Sequence, residues 1–252
     1  MQIPFQAKQV VDLLFTLLEY QISGVYLYGS AVLGGLQVNS DVDLLLITRE
    51  ALTAQQRIQL TAQLMKVSGR VGCKERRPIE LTILHEHILQ PLRFPPRYEY
   101  MYGEWLRDGL ERGMIPEADE DPDVAILLWQ ARKHSIALYG PPPETLLPEV
   151  PLAVVLDAIR QSKPGLLRTL NGDERNVLLT LTRMWYTLEN QTIASKSSAA
   201  RWAIARIPHS LRWLMEMASD AYQGLQTDEW SGHEEQVQQL ADWLAAQIDS
   251  YF

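Results

Sequence analysis

Val25-Tyr-Leu-Tyr-Gly29-Ser30-Ala-Val-Leu-Gly-Gly-Leu-Gln-Val-Asn39-Ser40-Asp41-Val-Asp43-Leu-Leu-Leu-Ile47 is the stretch on which the reading of this chain turns. An apolar run ends at Gly29-Ser30, and Asp41-Val-Asp43 opens a second one. Side chains at i and i+2 of a strand point the same way, so Asp41 and Asp43 are expected to present two carboxylates together. Like charges that close are costly unless a cation lies between them. Hard oxygen ligands suit Mg2+, which binds through one or two carboxylates and keeps phosphates and waters as its other ligands. The pattern points to metal-assisted attack on a nucleotide phosphate.

Working outward, residues 5–21 carry helical apolar spacing at Val10, Val11, Leu14, Leu17 and Leu18, with Ser23-Gly24 as the expected stop. Strands are expected at 25–28, 42–48 and 78–84, and a helix at 54–68 behind a Thr53 cap. In the third strand Glu80 and Thr82 share one face, which lets Glu80 complete a carboxylate triad with Asp41 and Asp43. Gly29-Ser30 is expected to enter a helix, combining close backbone approach with free N–H groups and a hydroxyl. Residues 91–104 read as an extended connection leading into a short helix around 103–107, and Asp121-Pro-Asp123 as the start of a helix to about residue 138. The proline-rich segment 140–151 is a domain boundary. After it, helical patterns fill 152–161, 174–189, 196–206, 210–221 and 233–250. The expected architecture is α+β: a mixed-sheet domain over 1–150, then an all-helical domain over 151–252.

At 252 residues with 46% hydrophobic content the chain can bury a sizeable core. Its net charge of -8 disfavours a nucleic-acid partner, which needs clustered Lys and Arg. Cys73 is the only cysteine, so neither an internal disulfide nor a cysteine-based zinc site is available. The N-terminus lacks a signal-peptide layout, and no apolar run approaches the ~20 residues of a membrane span. A cytoplasmic monomer with small-molecule partners, no nucleic acid and no membrane is the expectation. His85-Glu-His87 offers two imidazoles without a third ligand and reads as a solvated turn, and the seven Trp read as packing residues.

Gly29-Ser30 followed by Asp41-Val-Asp43 resembles the nucleotidyltransferase superfamily motif. Five ordered motifs bring the resemblance closer: residues 27–43, Pro-Ile-Glu-Leu-Thr (78–82), Tyr-Gly-Glu-Trp-Leu-Arg (102–107), Gly-Asp-Glu-Arg-Asn-Val-Leu-Leu-Thr-Leu-Thr-Arg-Met-Trp (172–185) and Ser-Lys-Ser-Ser-Ala-Ala-Arg-Trp-Ala (195–203). Together, over about residues 20–230, they are similar to the aminoglycoside adenylyltransferases that modify spectinomycin and streptomycin. The resemblance implies a polymerase-beta-like nucleotidyltransferase domain followed by a helical bundle. It also implies transfer of AMP from ATP to a drug hydroxyl with Mg2+, two ions being the usual arrangement. Asp41 and Asp43 are then the metal ligands, and Glu80 the general base and a further ligand. Gly29 and Ser30 meet the phosphates, and Arg183 and Lys196 match family positions that reach them. Trp105 and Asp173 match drug-binding positions. Glu174, Asn176 and Asp123 are further candidates there, with Asp123 and Tyr222 also placed on the ATP side.

Dual-specificity members carry a Trp, and five residues later an Asp, shortly before the Gly-Asp-Glu motif. Here Pro164 and Thr169 fill those places, and no Trp lies between Trp129 and Trp185. The departure resembles the branch that adenylylates only the 9-hydroxyl of spectinomycin. The alternatives are a dual-specificity enzyme, a non-catalytic nucleotide or drug binder, and an RNA-directed nucleotidyltransferase. The intact carboxylates oppose the second and the acidic balance opposes the third.

Overall fold

A computed structural model describes residues 3–73 and 75–252 and divides the chain into two compact units, Met1–Pro151 and Leu152–Phe252. In the first, helix α1 (Phe5–Leu18) leads through a single 3-10 turn into strand β1 (Ile22–Tyr28). Ser23 and Gly24 therefore lie inside the strand rather than ending the helix. The reversal happens earlier, where Glu19 takes a positive φ of 20°. Strand β2 (Val42–Thr48) follows, then α2 (Ala54–Val67) and β3 (Ile79–His85). Thr53 and Gln56 form a reciprocal capping box at the start of α2, as Thr53 leads one to expect.

Strand β2 pairs antiparallel with β1 and parallel with β3, so α2 is the crossover a parallel pair requires. Alternation then assigns the faces. Val25, Leu27, Leu44, Leu46, Leu81 and Ile83 belong to the core formed with Val10, Leu14, Leu60 and Leu64 of α1 and α2. Tyr28, Asp43 and Glu80 are their neighbours in sequence and so belong to the opposite face.

The tyrosine-rich connection is extended, as expected, but it is also part of the sheet structure. It contains β4 (Arg97–Tyr98) and β5 (Tyr100–Tyr102), and β5 adds to the sheet against β3. Tyr100 and Tyr102 are fully buried, and their hydroxyls meet Thr61 at 2.9 Å and Glu104 at 2.9 Å. Helix α3 (Arg107–Glu111) and β6 (Asp119–Glu120), which pairs with β4, come next. Helix α4 (Asp123–Lys133) ends five residues before the expected point. Residues of its expected last turn form β7 (Ile136–Tyr139), pairing antiparallel with β1. The free edge of β1 offers hydrogen bonds that override local helix preference there. The sheet order is β5-β3-β2-β1-β7. A short helix α5 (Pro143–Leu146) completes the unit.

The second unit consists of α6 (Leu152–Arg168), α7 (Glu174–Asn190), α8 (Lys196–Ile204), α9 (Arg212–Gln223) and α10 (Glu234–Asp249), with no strand among the described residues. Helix α6 runs seven residues past its expected end, through Pro164. Arg160 and Pro164 are both exposed, so the carbonyl that loses its partner to proline faces water. Helix α7 is central, packing against α6, α8, α9 and α10. Its buried Trp185 meets Trp202 and Trp243 edge-on at 4.5 and 5.3 Å, a packing use of tryptophan. No helix among the described residues is long and apolar enough to cross a membrane.

Candidate functional site

Strand β1 ends at Tyr28, and Gly29–Ala31 forms one 3-10 turn rather than a helix start. Val32 and Leu33 donate back to the Gly29 carbonyl at 3.1 and 2.9 Å, closing the turn within four residues. Gly29 has φ +66°, and a Cβ there would lie 1.8 Å from Asp43 Oδ2. Glycine is required on both counts. Ser30 follows, half-buried.

Asp43 stands in register with Tyr28 of β1 on one side and Glu80 of β3 on the other. Residues directly opposite across strands have Cβ atoms about 5 Å apart, so the three side chains form a row on one face. The Tyr28 hydroxyl donates to Glu80 Oε1 at 3.5 Å. The phenol is held well above its usual pKa, first by burial and then by the negative charges of Glu80 and Asp43. Both carboxylates thus act on one buried hydroxyl. Asp41 lies two residues before Asp43, immediately ahead of β2 and half-buried.

Two further residues shape this end of the sheet. Tyr28 is one, and its neighbours in register were not predictable before the strands were paired. Arg77 is the other. Its guanidinium donates to the carbonyls of Gln37, Val38 and Ser40, the latter two at 3.3 and 3.0 Å. It ties down the loop that delivers Asp41. Arg76-Arg77-Pro78 ahead of β3 was the available signal.

Leu81 is opposite Tyr102 in antiparallel register, so the chain leaves β5 at the Glu80 end of the sheet. Trp105 emerges there with 60% of its surface exposed. Its ring lies over Gly103, where a Cβ would come within 2.1 Å of ring atoms. The residues around it are fixed from beneath. Glu104 accepts from Tyr102 at 2.9 Å, from Ser68, and from Arg107 at 2.7 and 2.9 Å. Arg107 also donates to the carbonyls of Met65 and Ser68 at the end of α2. Asp123 is exposed at the first position of α4, its backbone N–H donating to Asp121 Oδ1 at 2.8 Å.

In the helical unit Asp173 precedes α7, but its side chain makes no capping bond. It accepts instead from Asn176 Nδ2 at 3.0 Å. Although the residue is exposed overall, its carboxyl is held above the usual range, chiefly by local desolvation. The Asn176 bond and the charges of Lys196 and Arg175 oppose this. Lys196, at the start of α8 behind the Ser195 cap, donates to Asn176 Oδ1 at 2.6 Å and lies 5.5 Å from the Tyr222 ring centroid. The fold therefore brings Asp173, Asn176, Lys196 and Tyr222 together. Arg183 is two helical turns beyond Asn176 on the same side of α7. Glu174 turns back to accept from the Gly172 N–H at 3.0 Å.

Among the described residues no three of His, Cys, Asp and Glu stand together as a ready-made metal cage. A nucleotide-associated Mg2+ needs none, because phosphates and waters complete its shell. The donor set around Asp43 is all hard oxygen, and the absent Cβ of Gly29 leaves the Asp43 carboxylate room beside the turn. The residues fit such an ion. His85 and His87 are at the other end of β3, where His85 Nδ1 accepts from the His87 backbone at 3.0 Å.

Comparison with known proteins gives a consistent result. The family model of the aminoglycoside adenylyltransferase C-terminal domain matches residues 145–247, and that of the polymerase beta nucleotidyltransferase matches residues 14–93. A spectinomycin 9-adenylyltransferase of Campylobacter jejuni is 47% identical over 98% of this chain and 96% of its own length. An aminoglycoside (3'') (9) adenylyltransferase of Escherichia coli is 35% identical over 98% and 95%. A spectinomycin adenyltransferase from Enterococcus faecialis, crystallised with ATP and spectinomycin, superposes with a TM-score of 0.93. It is 33% identical, with 97% of this chain and 98% of that one covered.

Proposed function

The chain belongs to the aminoglycoside adenylyltransferase family, and from that premise we propose that it transfers AMP from ATP to the 9-hydroxyl of spectinomycin, releasing pyrophosphate and conferring resistance. What supports the chemistry is the register that sets Asp43 beside Glu80, next to a turn where glycine is obligatory. Adenylyl transfer demands mostly positioning and charge neutralisation.

Gly29 lets the backbone approach the nucleotide, and the Ser30 hydroxyl binds its terminal phosphates. Asp41, Asp43 and Glu80 are the residues that would hold Mg2+. When bound, the metal, as two ions, would supply charge neutralisation for the transfer. Glu80 accepts the proton of the drug hydroxyl, a role in which proximity matters more than basicity. Arg183 and Lys196 bind phosphate oxygens, with Tyr222 and Asp123 on the nucleotide side. Trp105 offers a flat apolar face to the drug. Asp173 accepts from its hydroxyl or ammonium groups, with Glu174 and Asn176 nearby in sequence. The enzyme works as a cytoplasmic monomer.

Selectivity follows from what α6 and the residue just after it lack. Pro164 and Thr169 are exposed and offer neither a stacking ring nor a carboxylate. A missing cation-π surface and a missing charge-assisted contact together cost several kcal/mol, on the order of a thousandfold in turnover. Streptomycin is therefore a poor acceptor. The test incubates enzyme, ATP and Mg2+ with each drug and follows pyrophosphate release and the mass of the drug. Spectinomycin should gain one AMP and streptomycin should remain unmodified. Comparable transfer to streptomycin overturns the selectivity, and no release with spectinomycin overturns the function.

A further inference from the structure

One side chain in the helical unit touches two residues that the proposed function gives to different substrates. The Asn176 amide donates through Nδ2 to Asp173 Oδ2 at 3.0 Å and accepts through Oδ1 from Lys196 Nζ at 2.6 Å. A carboxamide presents a donor and an acceptor on one rigid plane, so it can link a cation to an anion without carrying charge itself. Asn176 sits on the first turn of α7, and Lys196 on the first turn of α8. The bridge thus joins two helix starts twenty residues apart in sequence.

We infer that Asn176 is a positioning residue that couples nucleotide binding at Lys196 to drug binding at Asp173. The inference rests on the roles proposed above for those two residues. Before nucleotide binds, Lys196 acts on Asp173 through the amide: its ammonium polarises the Asn176 carboxamide, whose N–H holds the Asp173 carboxylate more tightly and so competes with a cationic drug for it. Phosphate oxygens at Lys196 offset that positive charge while the amide keeps Asp173 oriented. The carboxylate is then more available to the drug. The coupling is positive, and linkage makes it reciprocal: each substrate raises the affinity for the other by the same factor.

The amide bridge also explains why asparagine serves where a charged residue would not. Aspartate here would pair with Lys196 and repel Asp173. Lysine would neutralise Asp173 and repel Lys196. Leucine has nearly the shape of asparagine and can make neither bond, so Asn176→Leu removes the link with little change in volume.

Spectinomycin binding is titrated calorimetrically to the whole enzyme, with and without a non-cleavable α,β-methylene analogue of ATP and Mg2+. In the wild type the analogue should tighten drug binding about fivefold or more. In Asn176→Leu the factor should fall below about twofold, as expected once the coupling element is gone. Asn176→Ser serves as a second variant should the leucine variant misfold, and should lose the factor likewise. A variant that keeps the full wild-type factor overturns the inference, as does a wild type that adenylylates spectinomycin yet shows no coupling. A wild type that neither binds nor modifies the drug overturns the proposed function, and the inference with it.

Discussion

The carboxylate of Asp43 occupies the space that a side chain at Gly29 would need, with Oδ2 only 1.8 Å from the position of the missing Cβ. The turn after β1 and the acid on β2 are therefore one unit. Gly29→Ala meets two obstacles at once, because its φ of +66° is also unfavourable for alanine by about 1–2 kcal/mol. The methyl must push Asp43 aside, and a displacement of ~1 Å in such a site costs about a hundredfold in rate. The expected outcome is a folded protein with a slightly lower melting temperature and at least that loss in pyrophosphate release. Wild-type turnover in the alanine variant would remove Asp43 from the site.

Glu80→Gln keeps the shape and the Tyr28 contact but takes away the proton acceptor. Turnover should fall by about 10²–10⁴, the usual worth of a general base. KM for spectinomycin should change little, since the glutamine oxygen still accepts a hydrogen bond from the drug hydroxyl and the remaining proposed drug contacts, Trp105 and Asp173, are untouched. Steady-state kinetics with both substrates check this. Full activity in the glutamine variant would end the base assignment.

Trp105 owes its position to Gly103. A Cβ at residue 103 would come within 2.1 Å of the indole, so Gly103→Ala must swing the ring away. Aromatic contacts carry about 0.5–1.5 kcal/mol beyond buried area, up to about tenfold in affinity. KM for spectinomycin should rise by about that factor, while KM for ATP stays as it is. An unchanged drug KM would show that the indole face is not used.

The Glu104–Arg107 pair under that loop is a stability device. Its side chains are 4% and 9% exposed. Burial works against the Glu104 charge, but the hydrogen bonds from Arg107, Ser68 and Tyr102 outweigh it and leave the pKa below the ordinary value of 4.5. A depressed carboxyl adds stability above its unfolded pKa and loses it as pH falls through the folded one. Melting temperature should therefore drop as pH goes below about 4.5. Arg107→Met leaves a buried carboxylate without its cation, at about 3–5 kcal/mol. Thermal melts from pH 7 to pH 3 test both points. Equal acid sensitivity in the wild type and the variant would exclude this pair as a source.

The two strands that hold Asp43 and Glu80 were legible because their signals are local. Val42–Thr48 is a continuous apolar run with an acid at its head, and Ile79–His85 alternates cleanly. The Thr53 cap needed only its own side chain and Gln56. The misread segments owe their shape to partners distant in sequence. Residues 136–139 became a strand because β1 had an open edge, and Tyr100–Tyr102 because β3 did. At Gly29 a 3-10 turn stands where a helix was expected, and what makes glycine obligatory there, the carboxylate of Asp43, is fourteen residues away in sequence.

The residue types of the candidate site were thus determined by the sequence itself: a glycine and a serine after one strand, one aspartate just before the next and one inside it, a glutamate inside a third. Chemistry of that kind depends on functional groups, and those are written in the order of the chain. Their arrangement was decided only by tertiary structure. Register across β1, β2 and β3 put Tyr28, Asp43 and Glu80 in one row. The packing of α7 against α8 let one amide span Asp173 and Lys196. Such contacts depend on how strands slide and helices turn against one another, and burial of the whole core, not any single stretch of sequence, settles that.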